Sequence, residues 1–352
     1  MIVGKVFGTT KIDRLSWVNG IIDSVYAFSI FFMLKYLSFD FQISLMGTLL
    51  YLFTPMWFSA ISMGTRVASF TPRLVCEVII PVIVFLALYI LPSSNLLIGF
   101  VSVLLTIFVV MSSKFGVQVL LFTFPLISLF TNSLELIFIL LAGLLLPILI
   151  SKGEVFNMLR RQITHLVDYY YGSKDGRIPI SDRNKFSKIL AQNQQGNIDF
   201  KKTIWNLVAV NSFTSVFVKM PILLFSLGVS AYLIVFKGSE ILTTDFVPFF
   251  VVLSIFILIN QPRLLFLGEA ERYLNHFSLF IILITLTLAE QAELIWMIWA
   301  FIFYGFLFWL IESTMFNMFE DQIQRKKADN LIEDYLKKLD EKRLVISYPY
   351  HN

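Results

Sequence analysis

Cysteine is nearly absent from this sequence of 352 residues: Cys76 is the only one. A lone thiol excludes an intrachain disulfide framework and a multi-cysteine zinc site. Histidine is scarce as well, and His165 and His276 have no second ligand at metal-binding spacing, so no metal is expected. A GxxxxGK[ST] phosphate loop, an HExxH pair and a GxSxG elbow are all missing. No cofactor is implied. Charge is thin: Asp, Glu, Lys and Arg make up 15% of the residues and the formal net charge is +4. Without a basic stripe interleaved with aromatics, nucleic acid is not an expected partner.

What the chain does have is apolar bulk. Hydrophobic residues are 57% of the total, 37 of them Phe, and the mean hydropathy is +0.77. Soluble domains sit at roughly 45–50% apolar. The charges fall in clusters separated by apolar runs of about 15 to 22 residues, the length that a bilayer imposes on a spanning helix. Short alternating segments, the mark of a membrane barrel, do not occur. The expected fold is therefore all-α, a polytopic transmembrane helical bundle with membrane lipids as its first partners.

Ten apolar runs qualify as spans, near 17–35, 42–62, 75–92, 96–112, 115–130, 133–151, 220–237, 246–261, 275–290 and 293–312. The pair 96–112 and 115–130 is short enough to form a re-entrant loop instead. The positive-inside rule orients the set. Lys5, Lys11 and Arg14 start the chain in the cytoplasm, and six crossings return it there at the stretch 152–202, where ten Lys/Arg outnumber five Asp/Glu. Four more crossings leave the tail inside. Arg66, Arg73 and Lys114 also fall inside, and Glu240, Asp245, Glu290 and Glu293 outside. A bacterial inner membrane with both termini cytoplasmic is the expected location. Trp57, Trp205, Trp296, Trp309 and Tyr89 near span ends read as interfacial anchors.

Four regions follow: a first transmembrane half (1–151), a cytoplasmic and interfacial segment (152–219), a second transmembrane half (220–315) and a cytoplasmic tail (316–352). In the second region, Val155, Met158, Leu159, Ile163, Leu166 and Tyr170 recur at near-helical spacing, which predicts an amphipathic helix on the cytoplasmic leaflet. A second interfacial helix is expected from Thr203, ended by Pro221. The tail reads as a helix to about Lys342 and then a strand at "LVISYPY", the opening of an α/β domain or a surface for a cytoplasmic protein partner.

The densest polar string is "NQPRLLFLGEAERYLNH", residues 260–276. On a helix, Glu269, Arg272 and His276 would share a face, with Glu271 on the next row. Arg263 and Arg272 suit phosphate oxygens, and a carboxylate could orient a sugar hydroxyl or act as a base. A solvated loop with locally paired charges is the plainer reading. Asp23 in the first span is costly unless it faces a polar interior or reaches headgroup water. Arg73 with Glu77, and Lys114 with Gln118, are further pairs four apart at span entrances.

The strings "SFTPRLVCEV", "SSKFGVQVLLFTFPL" and "LFLGEAERYLNH" resemble a group of uncharacterised bacterial multi-pass membrane proteins associated with cell-surface polysaccharide gene clusters. The resemblance implies a role in handling lipid-linked glycans, with Arg73, Lys114, Gln118, Glu269, Glu271 and Arg272 as substrate-binding candidates, but no catalytic residue. Polytopic glycosyltransferases of lipid-linked sugars usually carry acidic residues in a large first external loop, whereas that loop here offers Asp40 alone. A transporter or flippase, and a scaffold recruiting cytoplasmic proteins, are the alternatives.

Overall fold

The computed structural model describes residues 16–58, 72–93, 96–174, 184, 186, 189, 199–237, 244–261 and 263–320. Lys5, Lys11, Arg14, Arg66, Glu240 and the tail beyond residue 320 lie outside the described residues. Among the described residues every regular element is a helix.

Each of the ten apolar runs contains at least one helix among the described residues. They are α1 (Ser16–Tyr36), α2 (Phe41–Phe53), α3 (Pro72–Phe85), α4 (Leu96–Ser112), α5 (Lys114–Thr131) and α6 (Glu135–Ile150). The amphipathic α7 (Glu154–Lys174) follows, then α8 (Pro221–Lys237), α9 (Val247–Ile259), the short α10 (Glu271–Asn275), α11 (Ser278–Gln291) and α12 (Trp296–Glu320). Four stretches are long and apolar enough to cross a membrane: Val18–Tyr36, Arg73–Ile90, Lys114–Thr131 and Trp296–Thr314. A fifth is added if α6 and α7, bent by 118°, count as one broken span. The remaining apolar helices run to about 20–26 Å at 1.5 Å per residue, less than the roughly 30 Å hydrocarbon core.

Contacts divide the chain after Phe306, and residues 307–320 of α12 are the described part of the second unit. In the first unit, α11 is the centre. It is apolar all round and buried along nearly its whole length, packed by α2, α3, α8 and α9. A helix hydrophobic on every side must be sheathed by protein or by lipid; here it is protein. Ser226 and Thr285 hydroxyls meet at 2.9 Å between α8 and α11. By contrast, α4 buries Ser102 and Thr106 against α6, where Gly143 leaves room for Thr106, and exposes Leu96, Phe100 and Phe108. Small polar residues inside with large apolar ones outside is the arrangement of a helix facing lipid.

The second run is shorter as a helix than the apolar stretch suggests. Pro55 forces Thr54 out of helical geometry (φ −77°, ψ 117°), so α2 stops at Phe53 and a single turn, Pro55–Phe58, follows. The segment from Thr203 is also not one helix. It breaks into Phe200–Trp205, a π turn over Asn206–Val210 and Thr214–Lys219. Trp57 does not face lipid, and Tyr89 is half-buried. Trp57 is buried, stacked 5.2 Å from Tyr51, and Tyr89 donates its hydroxyl to Asp245 at 2.8 Å.

Side-chain contacts set the helix ends at two levels. At one, Tyr36 donates to the Tyr89 carbonyl (3.4 Å) and Tyr89 to Asp245, joining the ends of α1 and α3 to the start of α9. At the other, Tyr51 donates to Asp23 (3.0 Å) and the Tyr26 and Ser278 hydroxyls meet at 3.0 Å, joining α1, α2 and α11. Arg73 and Tyr89 lie at opposite ends of the stretch Arg73–Ile90, in which α3 continues into a π turn, about 24 Å apart by helical rise.

Candidate headgroup site

The second level gathers most of the sequence candidates. Ser113 caps α5, accepting the Gly116 N–H at 3.1 Å, and this fixes Lys114, Phe115 and Gln118 at the first turns of the helix. Phe115 is the hub. Arg73, on the first turn of α3, sets its guanidinium over the Phe115 ring at 5.3 Å, a favourable cation–π arrangement. Tyr273 and His276 approach the same ring at 4.9 and 5.5 Å. Gly268 closes the fourth side with φ +123°, a conformation that L side chains rarely adopt, and an added Cβ would press on Phe115 at 3.2 Å. Gln118 holds this turn by donating to the Leu267 carbonyl at 2.6 Å. Three strings that are about 40 to 200 residues apart in sequence thus converge on one ring.

Two arginine–carboxylate pairs flank the hub. Arg73 Nε faces Glu77 at 3.7 Å, with side chains 28% and 7% exposed. Arg272 Nε pairs with Glu269, the two 31% and 32% exposed. Both arginines are therefore held in orientation and remain partly exposed, although Arg73 Nε itself is buried, and such a planar fork suits an oxyanion. The connection is not one helix as its spacing predicts. Residues Leu265–Leu267 form a 3₁₀ turn, Glu269 precedes α10, and Glu271 and Arg272 lie within it. His276 does not share their face. It is fully buried, its Nδ1 bonded to the Arg272 carbonyl at 2.7 Å. Glu271 is half-buried at the start of α10, and Arg263 is exposed on the preceding turn.

Buried polar atoms add a second feature. Tyr273 is completely buried, and its hydroxyl finds no hydrogen-bond partner among the described residues; nor does Asn275 Oδ1. Burial pushes the Tyr273 phenol well above its ordinary pKa, so it stays a neutral donor. Such an orphan is uncommon and costs about 1–3 kcal/mol. Lys114 extends the cluster sideways, its Nζ 2.8 Å from His165 Nδ1 on α7. Asp23 is not part of this site: it is half-buried, accepts from Tyr51, and belongs to the neighbouring aromatic group of Tyr26, Tyr51 and Trp57.

A buried asparagine network lies beside the turn. Asn211 Oδ1 accepts from the Phe213 and Thr214 N–H groups at 3.0 Å each and from the Thr214 hydroxyl at 3.2 Å. Its amide donates to Asn184 Oδ1 at 3.0 Å, and Asn184 donates to the Asn260 carbonyl at 3.0 Å. Asn260 also accepts from Ser212 (3.3 Å) and donates to the Phe256 carbonyl (2.9 Å). These links tie the central stretch to the end of α9, where the turn begins. The local signal is the Asn–Ser–Phe–Thr string, typical of a side-chain-capped turn.

Among the described residues no group of three or more His, Cys, Asp or Glu is placed to hold a metal ion. Compared with models of protein families, with curated proteins and with solved structures, the chain matches none.

Proposed function

We propose that this chain is a bacterial inner-membrane protein that crosses the bilayer ten times with both termini in the cytoplasm, and that it handles or assembles lipid-linked glycans by holding a phosphate-bearing headgroup at the Phe115 cluster. The observation that carries this reading is the convergence of Arg73, Phe115, Gln118, Glu269 and Arg272, from three separate strings, at one end of the bundle. Two oriented, half-exposed guanidinium groups match the geometry of phosphate oxygens, and neighbouring carboxylates match sugar hydroxyls.

The shorter helices fit ten crossings because α11 is sheathed by protein, and local thinning or tilt accommodates mismatch in the others. Sidedness is supported by charge: Arg73, Lys114 and Arg272 lie at one level, Asp245 and Tyr89 at the other. Reporter fusions after residues 175 and 330 should read cytoplasmic, and fusions near 240 and 291 external; cytoplasmic activity at 240 would sink the ten-span topology.

The site is tested by lipid-linked sugar analysis in a deletion strain complemented with single variants. Arg272→Ala and Glu269→Ala should abolish complementation while the protein still inserts. Arg272→Lys keeps the charge, loses the planar fork and should also be impaired. Normal surface glycan from all three would reject the headgroup reading and favour a scaffold.

A further inference from the structure

Helix α7 presents three faces where an ordinary amphipathic helix presents two. It leaves α6 through a bend of 118° at Ser151–Gly153, where Lys152 (φ 51°) and Gly153 (φ 93°) take left-handed conformations. At about 100° of rotation per residue, Val155, Leu159, Gln162, Leu166 and Tyr169 fall on one side. All five are buried or half-buried. A second arc holds Asn157, Arg161, Thr164 and Asp168, all exposed and polar. The third arc holds Phe156, Ile163, Val167, Tyr170 and Tyr171, which are exposed although apolar; Ile163 is 65% exposed. The periodic apolar residues of the sequence therefore divide between two faces, one covered by protein and one bare.

The bare face carries its own evidence of what covers it. Arg160 and Lys174 lie in the middle of the apolar arc and are exposed. Long cationic side chains among apolar ones are unsuited to a dry protein interface, but they suit a headgroup layer, into which they snorkel while the apolar residues enter the acyl boundary. The face is also continuous with a lipid-facing one: Leu149 and Ile150, the last residues of α6 before the bend, are among the most exposed apolar side chains of the chain. A turn of more than a right angle there lays α7 along the surface that α6 has just reached.

We infer that α7 is a surface-lying helix docked on anionic phospholipid, and that it braces the headgroup site from the side. The brace is visible in two contacts. Tyr170, at the edge of the bare arc, meets Phe266 of the site turn at 4.9 Å, edge to face. His165, on the border between the protein and water faces, meets Lys114 at 2.8 Å. A helix seated on the leaflet thus holds both the start of α5 and the 3₁₀ turn before Gly268. This inference rests on the membrane reading above and is independent of what the site binds.

The test uses full-length protein reconstituted in vesicles of phosphatidylcholine with or without phosphatidylglycerol. Nitroxide labels are placed at single cysteines, and Cys76, being fully buried, takes up no label. In the anionic vesicles, Ile163→Cys and Val167→Cys should report high oxygen and low nickel-chelate accessibility, Arg161→Cys and Asp168→Cys the reverse, and Leu159→Cys and Leu166→Cys low values for both. Nickel access at 163 equal to that at 168 would put the bare face in water and overturn the proposal. Low access of both reagents at 163 would mean that protein covers it, and would overturn the proposal equally. The double reversal Arg160→Glu with Lys174→Glu should shift 163 towards nickel access in the anionic vesicles and leave it unchanged in phosphatidylcholine; no shift removes anionic lipid as the partner. Arg272→Ala should leave the pattern intact, so failure of the headgroup reading and failure of this one are separable.

Discussion

The asparagine network and the Phe115 cluster lie next to each other, yet they treat their polar atoms oppositely. Around Asn211 the buried amide groups find partners in the protein: Asn211 is 1% exposed and bonds to Asn184, the Phe213 and Thr214 backbone, the Thr214 hydroxyl and the Asn206 carbonyl. Around Phe115 the cations are half-exposed and the Tyr273 hydroxyl is buried with no partner among the described residues. A closed network holds a fold together. A cluster with partly exposed cations and a buried hydroxyl that has no partner among the described residues gives up stability. The difference separates framework from site more sharply than residue type does, since both regions are polar and both lie at the same end of the bundle.

The largest effect should come from breaking the closed network. Asn211→Ala strands two backbone N–H groups and leaves Asn184 short of a donor, and it should cost about 3 kcal/mol or more. A thermal melt of the detergent-purified protein reads this as a large fall in Tm. Asn211→Asp keeps the acceptor and loses the amide donor, so it should fall between wild type and alanine. Equal melts for wild type and Asn211→Ala would erase the distinction between framework and site.

Next in size is a packing defect away from both clusters. Gly305 of α12 lies where an added Cβ would run into the Phe53 carbonyl at the end of α2. Gly305→Ala must push the helices apart, at about 1–3 kcal/mol. Its loss of Tm should come with unchanged complementation at permissive temperature, which marks a purely structural position.

Gln118→Leu removes the donor to the Leu267 carbonyl and should cost only about 1 kcal/mol. Its effect on complementation should exceed its effect on Tm, because the turn that carries Glu269 loses its tie to α5. The smallest stability change, and the sharpest probe, belongs to Tyr273→Phe. Deleting a hydroxyl that has no partner among the described residues should leave Tm unchanged or slightly raised, a gain in stability of about 0–1 kcal/mol. A drop in complementation alongside that unchanged Tm would make the hydroxyl a ligand donor; unchanged complementation would reduce it to an imperfection of packing.

The all-helical class is legible because hydrophobic run length is a property of the sequence alone, and among the described residues four helices, or five with the bent pair, are long and apolar enough to cross a membrane. Where helices stop is less legible. Pro55 ends α2 inside a run of continuous apolarity, and Asn211 breaks a segment that reads as one helix. The candidates at span entrances stand out as charged positions; their assembly around Phe115 does not, since no local pattern marks an aromatic ring as a hub. Helical spacing puts His276 beside Arg272 and Glu269, but α10 runs only from Glu271 to Asn275, so Glu269 lies before the helix and His276 past its end, where it is buried. The two apolar faces of α7 merge into one in the sequence, because periodicity counts hydrophobic residues without saying what each meets.

The position of α11 has a consequence for biosynthesis. Its closest neighbours, α2, α3, α8 and α9, all precede it in the chain. The walls of the bundle are therefore made before its axle, and α11, of 14 residues, never needs to be stable against lipid by itself. Until residues 278–291 emerge from the ribosome, the space between those walls has no permanent occupant.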